Sequence, residues 1–134
     1  MSIATLFEWT LRGLLSMVLV ATALLKFISP WTDSYVLPAS LYYGSAVLEA
    51  VIAIGLLSPY VRATCKVLLA FLVLAIIAAA LRPVGGKCGC LGDLTVPRSA
   101  QLMMIATIGI SASLLLKLVA DWQRENEASA TGAG

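Results

Sequence analysis

Two cysteines one glycine apart, in the run Gly85-Gly86-Lys87-Cys88-Gly89-Cys90-Leu91-Gly92-Asp93, are the residues of this sequence best suited to chemistry. A bridge between Cys88 and Cys90 would close a very small ring. Strained or exposed disulfides tend to be the labile, catalytic ones rather than the structural ones. The surrounding glycines supply the backbone freedom that so tight a loop requires. Lys87 adjoins Cys88, and Arg82 and Arg98 flank the loop. Nearby cations favour the thiolate, which is the nucleophile of disulfide exchange. The expected roles are Cys88 as the attacking or attacked sulfur and Cys90 as the resolving one, with Lys87 either the activator of Cys88 or only a solvated loop charge. Two other readings compete. The thiols could be inert, or they could be half of a metal site; Asp93 is the nearest further ligand, so a closed zinc site would need a second chain. No metal is expected.

Glu49 is the second signal, an acid within an otherwise uncharged apolar segment. It lies roughly 13 Å into that segment at 1.5 Å per residue. An ionisable group at such depth is costly and marks a functional site by default. Tyr42 and Ser45, seven and four residues earlier, share its helical face and are within reach of a hydrogen bond to it. Lys26 lies toward the same membrane side, and its long stem can reach inward to Glu49 or outward to the interface. If it turns inward, the pair is either a structural clamp or a proton relay for the cysteines, since thiol exchange releases and takes up protons. The third cysteine, Cys65, falls near the opposite membrane face, about 30 Å or more of helix from Cys88, which puts a bond within one monomer out of reach. It reads as a buried or lipid-facing structural thiol.

These residues are carried by a chain of 134 residues that is 60% hydrophobic and only 12% charged. A soluble domain is nearer half apolar and a quarter charged, so the bilayer must be the solvent for much of this surface. A net charge of +2 is too small to suggest a nucleic-acid partner. Histidine is absent, which excludes His-ligated haem, His-containing zinc sites and histidine general bases.

Hydropathy divides the chain into four apolar segments, at about 6–28, 40–57, 61–81 and 98–119. Ser29-Pro30 stops the first, and the short Ser58-Pro59-Tyr60 turn makes the second and third an antiparallel hairpin. Ala21-Thr22-Ala23 resembles a signal-peptide cleavage site, but Glu8 and Trp9 suit such a peptide poorly and apolar sequence continues beyond it, so the first segment is retained as a helix. Trp31 and Tyr35 suit a membrane interface in the first connection. The expectation is an all-α membrane protein, a four-transmembrane-helix bundle over 1–120 with the redox loop between its third and fourth helices. Residues 121–134, charged and then small, are expected to form a disordered cytoplasmic tail.

Four spans place both termini on one side and the cysteine loop on the other. Arg12, Arg62, Lys66, Lys117 and Arg124 fall on the terminal side, against Lys26, Arg82, Lys87 and Arg98 on the loop side. That excess leans toward cytoplasmic termini. Disulfides persist outside the cytosol, which puts the CGC loop on the outer face of the cell inner (plasma) membrane.

Gly13, Lys26 shortly before Pro30, Glu49 followed by Gly55-Leu56-Leu57, and Cys88-Gly89-Cys90-Leu91-Gly92 together resemble the MauE-like branch of the DoxX-like membrane proteins. The resemblance covers about residues 8–120, and the cysteine motif is its specific part. In that family an aromatic often follows the second cysteine; here Leu91 stands there, which leaves the redox pair intact. The resemblance implies a four-helix bundle serving redox maturation of exported proteins, as in methylamine utilisation, beside a thioredoxin-like partner. This chain carries no thioredoxin domain of its own, so that partner would act in trans on the exported substrate protein. The general plan is also similar to the vitamin K epoxide reductase type. That analogy suggests a quinone, although no quinone motif or other cofactor signature is visible. The function expected is thus a thiol–disulfide oxidoreductase or electron relay. The alternatives are a non-catalytic assembly subunit of a larger complex, or a small transporter component organised around Glu49.

Overall fold

The computed structural model describes residues 3–33, 37–81 and 97–131. Within them the chain forms four helices: α1 (Ile3–Ile28), α2 (Ala39–Leu57), α3 (Val61–Leu81) and α4 (Arg98–Thr131). Each is long and apolar enough to cross a membrane. Helix is the form expected of such segments, because lipid offers backbone groups no partner other than the backbone itself. The ends follow local chemistry. The Leu41 and Tyr42 amides donate to the Pro38 carbonyl, each at 3.0 Å, to start α2. At its other end the Ser58 amide and hydroxyl both donate to the Gly55 carbonyl, at 3.2 and 2.7 Å.

α1 packs chiefly on α2 and α3 chiefly on α4, with lighter α1–α4 and α2–α3 contacts closing the ring. The result is two helical hairpins laid side by side. Leu15, Leu19, Ile52, Leu56, Leu68, Leu72, Ala112 and Leu115 form the core where they meet. Ser16 donates its hydroxyl to the Ala53 carbonyl at 2.7 Å, a polar tie between α1 and α2 of the kind that holds helices together in lipid. The tightest approach is at the α2–α3 turn. A Cβ on Gly55 would lie 2.6 Å from Thr64 Oγ1, so only glycine fits there unless Thr64 moves.

Only 22–33% of each apolar span is buried inside the bundle. Large side chains such as Met17, Ile54, Leu74, Met103 and Ile110 point outward, at 64–74% exposure. So much outward apolar surface, on four segments of spanning length, is the signature of a multi-pass membrane protein in contact with the bilayer.

One expectation is corrected. α4 does not end near Val119 in a disordered tail; it continues to Thr131, so that 121–131 are helical. Asp, Gln, Arg and Glu end the apolar span, but polarity alone does not end a helix, and Gln, Arg, Glu and Ala are good helix formers. Arg62 of α3 donates to Gln123 Oε1 at 2.6 Å and so ties the start of the extension to the neighbouring helix. Residues 132–134 of the expected tail lie outside the described residues.

Candidate functional site

The cysteine loop, with Lys87, Cys88 and Cys90, lies outside the described residues, as does Arg82. The positions of its two attachment points are described. Arg98, at the start of α4, donates a guanidinium N–H to the Ala80 carbonyl near the end of α3 at 2.9 Å. The contact satisfies a carbonyl of the last helical turn, where cations are favoured. It also brings the chain back to α4 directly beside the place where it leaves α3. The Arg98 guanidinium is thus engaged at the helix end, rather than being only a charge that flanks the thiols.

Lys26 and Glu49 meet. Nζ of Lys26 donates to Glu49 Oε1 at 2.6 Å and to Ser45 Oγ at 3.0 Å. The ammonium has turned inward rather than outward to the interface; Lys26 is 1% exposed and Glu49 4%. The pair joins the last turns of α1 to the middle of α2. A charge in this position is tolerable only when paired and hydrogen-bonded, and a pair spanning two helices also holds their register.

Ser45, within reach of Glu49 by sequence, bonds Lys26 instead. Ser45 accepts from Lys26 and donates to the Tyr42 carbonyl at 2.8 Å, while the Tyr42 hydroxyl donates to the Ser29 carbonyl at 3.2 Å. Tyr42, fully buried, thereby ties the start of α2 to the end of α1. Thr22 stands beside the Glu49 carboxylate, but its hydroxyl donates to the Leu19 carbonyl at 2.9 Å. Glu49 Oε2 is buried and has no donor among the described residues.

These polar groups border a cavity of about 450 Å³ in the loop-side half of the bundle. All four helices contribute to it: α1 between Val18 and Lys26, α2 between Leu41 and Glu49, α3 between Phe71 and Ala78, and α4 between Gln101 and Ile108. Its side chains are otherwise apolar, apart from Thr22, Lys26, Ser45, Glu49 and Gln101. The cavity lies at this end, whereas at the other end the Ser58–Tyr60 turn and the Gly55–Thr64 contact bring α2 and α3 close together.

Gln101 is a residue that hydropathy reading passed over. It is 3% exposed, one turn into α4, and borders the cavity. A long amide in an apolar span near the loop end was the signal available, by the logic that picks out Glu49. Cys65 is a buried free thiol of the core at the far end of the bundle, packed with Leu68 and Leu115 in the same cluster. Among the described residues no three or more metal-ligating side chains come together.

No family model matches the sequence, and comparison with curated proteins and with solved structures yields no significant match.

Proposed function

We propose that this protein is an integral-membrane thiol–disulfide redox protein whose CGC pair relays electrons or assists disulfide formation in an exported protein. The observation that carries this reading is the Cys88-Gly89-Cys90 motif in the connection between two helix ends, α3 and α4, held side by side at the polar end of the bundle. Exchange would proceed as the chemistry requires. The thiolate of a partner attacks one sulfur of the Cys88–Cys90 bridge, giving a mixed disulfide and a free thiolate in the loop. A second partner thiolate then attacks the mixed disulfide, leaving the partner oxidised and the loop as a dithiol. Two electrons and two protons have then passed to the loop. Its reoxidation needs a two-electron acceptor, and a membrane quinone is the class that the vitamin K epoxide reductase-like plan suggests.

The partner is a thioredoxin-like protein in trans, with an exported protein as the final substrate. The protein sits in the inner membrane with cytoplasmic termini and the loop on the outer face. Lys26 and Glu49, buried beneath that end, act either as the clamp that keeps α1 on α2 or as a proton relay. In the relay role the pair takes up and returns protons released by the thiols.

Single and double serine variants test the reading. Cys90→Ser cannot close the bridge, so its Cys88 thiolate should attack the oxidised form of a partner, the same exchange in reverse, and leave a covalent adduct visible on non-reducing gels, while Cys88→Ser should trap little. Trapping by Cys88→Ser alone would reverse the order of attack and keep the redox function. A Cys88→Ser/Cys90→Ser double variant that retains full activity, with no adduct in either single variant, would sink it. Topology is tested separately with a membrane-impermeant maleimide on intact spheroplasts. After reduction the loop should label, while a Ser129→Cys variant lacking the other cysteines should not.

A further inference from the structure

The cavity has features that the redox reading leaves unused, and they point to a ligand. Thr22 and Ser45 stand beside the Lys26–Glu49 pair, while most of the cavity wall is apolar. Among the described residues, two hydrogen-bonding capacities remain open within that polar end. Lys26 uses two of the three N–H donors of its ammonium on Ser45 and Glu49. Glu49 Oε2, on a side chain 5% exposed, has no donor among the described residues. Leaving a buried carboxylate oxygen without a donor is costly, and native structures rarely do so without a reason.

The mouth of the cavity says where a ligand would come from. Leu41 on α2 and Leu74 on α3 both border it, and they are 58% and 64% exposed. Both sit within apolar spans, so this surface faces the acyl chains of the bilayer. Between them Gly44 adds no side chain, and a Cβ built there would meet nothing within 4 Å. The opening thus lies between α2 and α3, and access is lateral, from the lipid.

We infer that this cavity binds an uncharged, lipid-soluble molecule headed by a hydroxyl group, an alcohol or a phenol, with the hydroxyl seated on the Lys26–Glu49 pair. A hydroxyl both accepts from the ammonium and donates to Glu49 Oε2 through a single oxygen, which suits two adjoining groups. A carbonyl-only head answers the lysine and leaves the carboxylate oxygen without a donor. A charged head would unbalance a pair whose charges already cancel. The volume is within the range of small-molecule sites, which are commonly apolar with a few placed polar groups. This inference does not depend on the cysteine pair.

The test uses the full chain in phosphatidylcholine nanodiscs, with empty discs as the background for partitioning. Radiolabelled 4-octylphenol and 1-decanol are the probes, and 4-octylanisole, with the same body and no hydroxyl proton, is the control. One or both hydroxyl probes should bind saturably at one per chain, with the anisole at least ten-fold weaker. Preference between the phenol and the alcohol identifies which source of hydroxyl the site takes. Ala75→Phe, which fills the cavity from α3, should abolish binding. Ala78→Leu serves if that variant fails to fold by circular dichroism. Replacing the pair, Lys26→Met/Glu49→Leu, should erase the preference for hydroxyl over anisole, while Cys88→Ser/Cys90→Ser should bind as the parent does. Non-saturable uptake, equal binding of the anisole by the parent chain, or undiminished binding in the filled and folded variant would overturn the proposal.

Discussion

Arg12–Glu8 and Lys26–Glu49 each join a cation of α1 to a glutamate, about 21 Å apart along the same helix. The first pair is local, one helical turn apart, with Arg12 also lying over the Trp9 ring at 5.1 Å. The second bridges two helices and is more deeply buried, with side-chain exposures of 2% and 5% against 11% and 17%. A local pair could form in the isolated helix and needs no neighbour. The bridging pair exists only when α1 lies on α2, and each partner depends on the other to be tolerated in the bundle interior. The contrast extends to the surroundings. The far end of the bundle is closed around the Gly55–Thr64 contact and buried Cys65, whereas the loop end holds a cavity edged by polar groups.

The largest effect should come from splitting the bridging pair. Glu49→Leu alone leaves Lys26 buried without its counter-ion, and removal of one partner of a buried pair costs about 3–5 kcal/mol. Thermal unfolding in detergent should show that loss, and the double variant Lys26→Met/Glu49→Leu should lose less than the two single variants summed. Strict additivity would mean that the two side chains are not energetically coupled.

The second comparison lies within α2. Gly55→Ala places a methyl group against Thr64 and should cost about 1–3 kcal/mol through overpacking. Gly44→Ala, at the open end, meets nothing and should be neutral or gain up to about 1 kcal/mol from helix propensity. A loss at Gly55 beside no loss at Gly44 from the same chemical change would show that the two ends differ in packing rather than in backbone preference. If Gly55→Ala is as benign as Gly44→Ala, the helices at the turn are looser than described.

The smallest effect is expected at Arg12–Glu8. A double-mutant cycle with Glu8→Gln and Arg12→Gln should return a coupling of about 0.2–0.5 kcal/mol, the usual size for a pair one turn apart. A coupling as large as that of Lys26–Glu49 would erase the distinction between the local and the bridging pair.

Hydropathy along the chain was enough to locate the four helices; α3 matches its expected 61–81 range and α2 begins one residue earlier than expected. It also singled out Glu49, because a charge in an apolar span is conspicuous wherever the span goes. It misjudged α4, since the polar residues after Val119 mark the end of the membrane segment and not of the helix. The choices for Lys26 were beyond it. A lysine near a helix end can snorkel outward or turn inward with equal ease along its stem. Only the packing of α1 on α2, which sets Ser45 and Glu49 within reach, decided the matter. Ser45 is within reach of Glu49 by sequence and found on Lys26 for the same reason: periodicity says which residues share a face, not which neighbouring helix supplies their partner. Ser16 and Thr22 are inconspicuous in sequence, being neutral and easily accommodated within a helix. The cavity has no counterpart in the sequence at all. Span positions follow from transfer free energies that sum residue by residue along one segment. The ion pair and the space beside it depend on distances between residues on different helices, and only the folded bundle sets those distances.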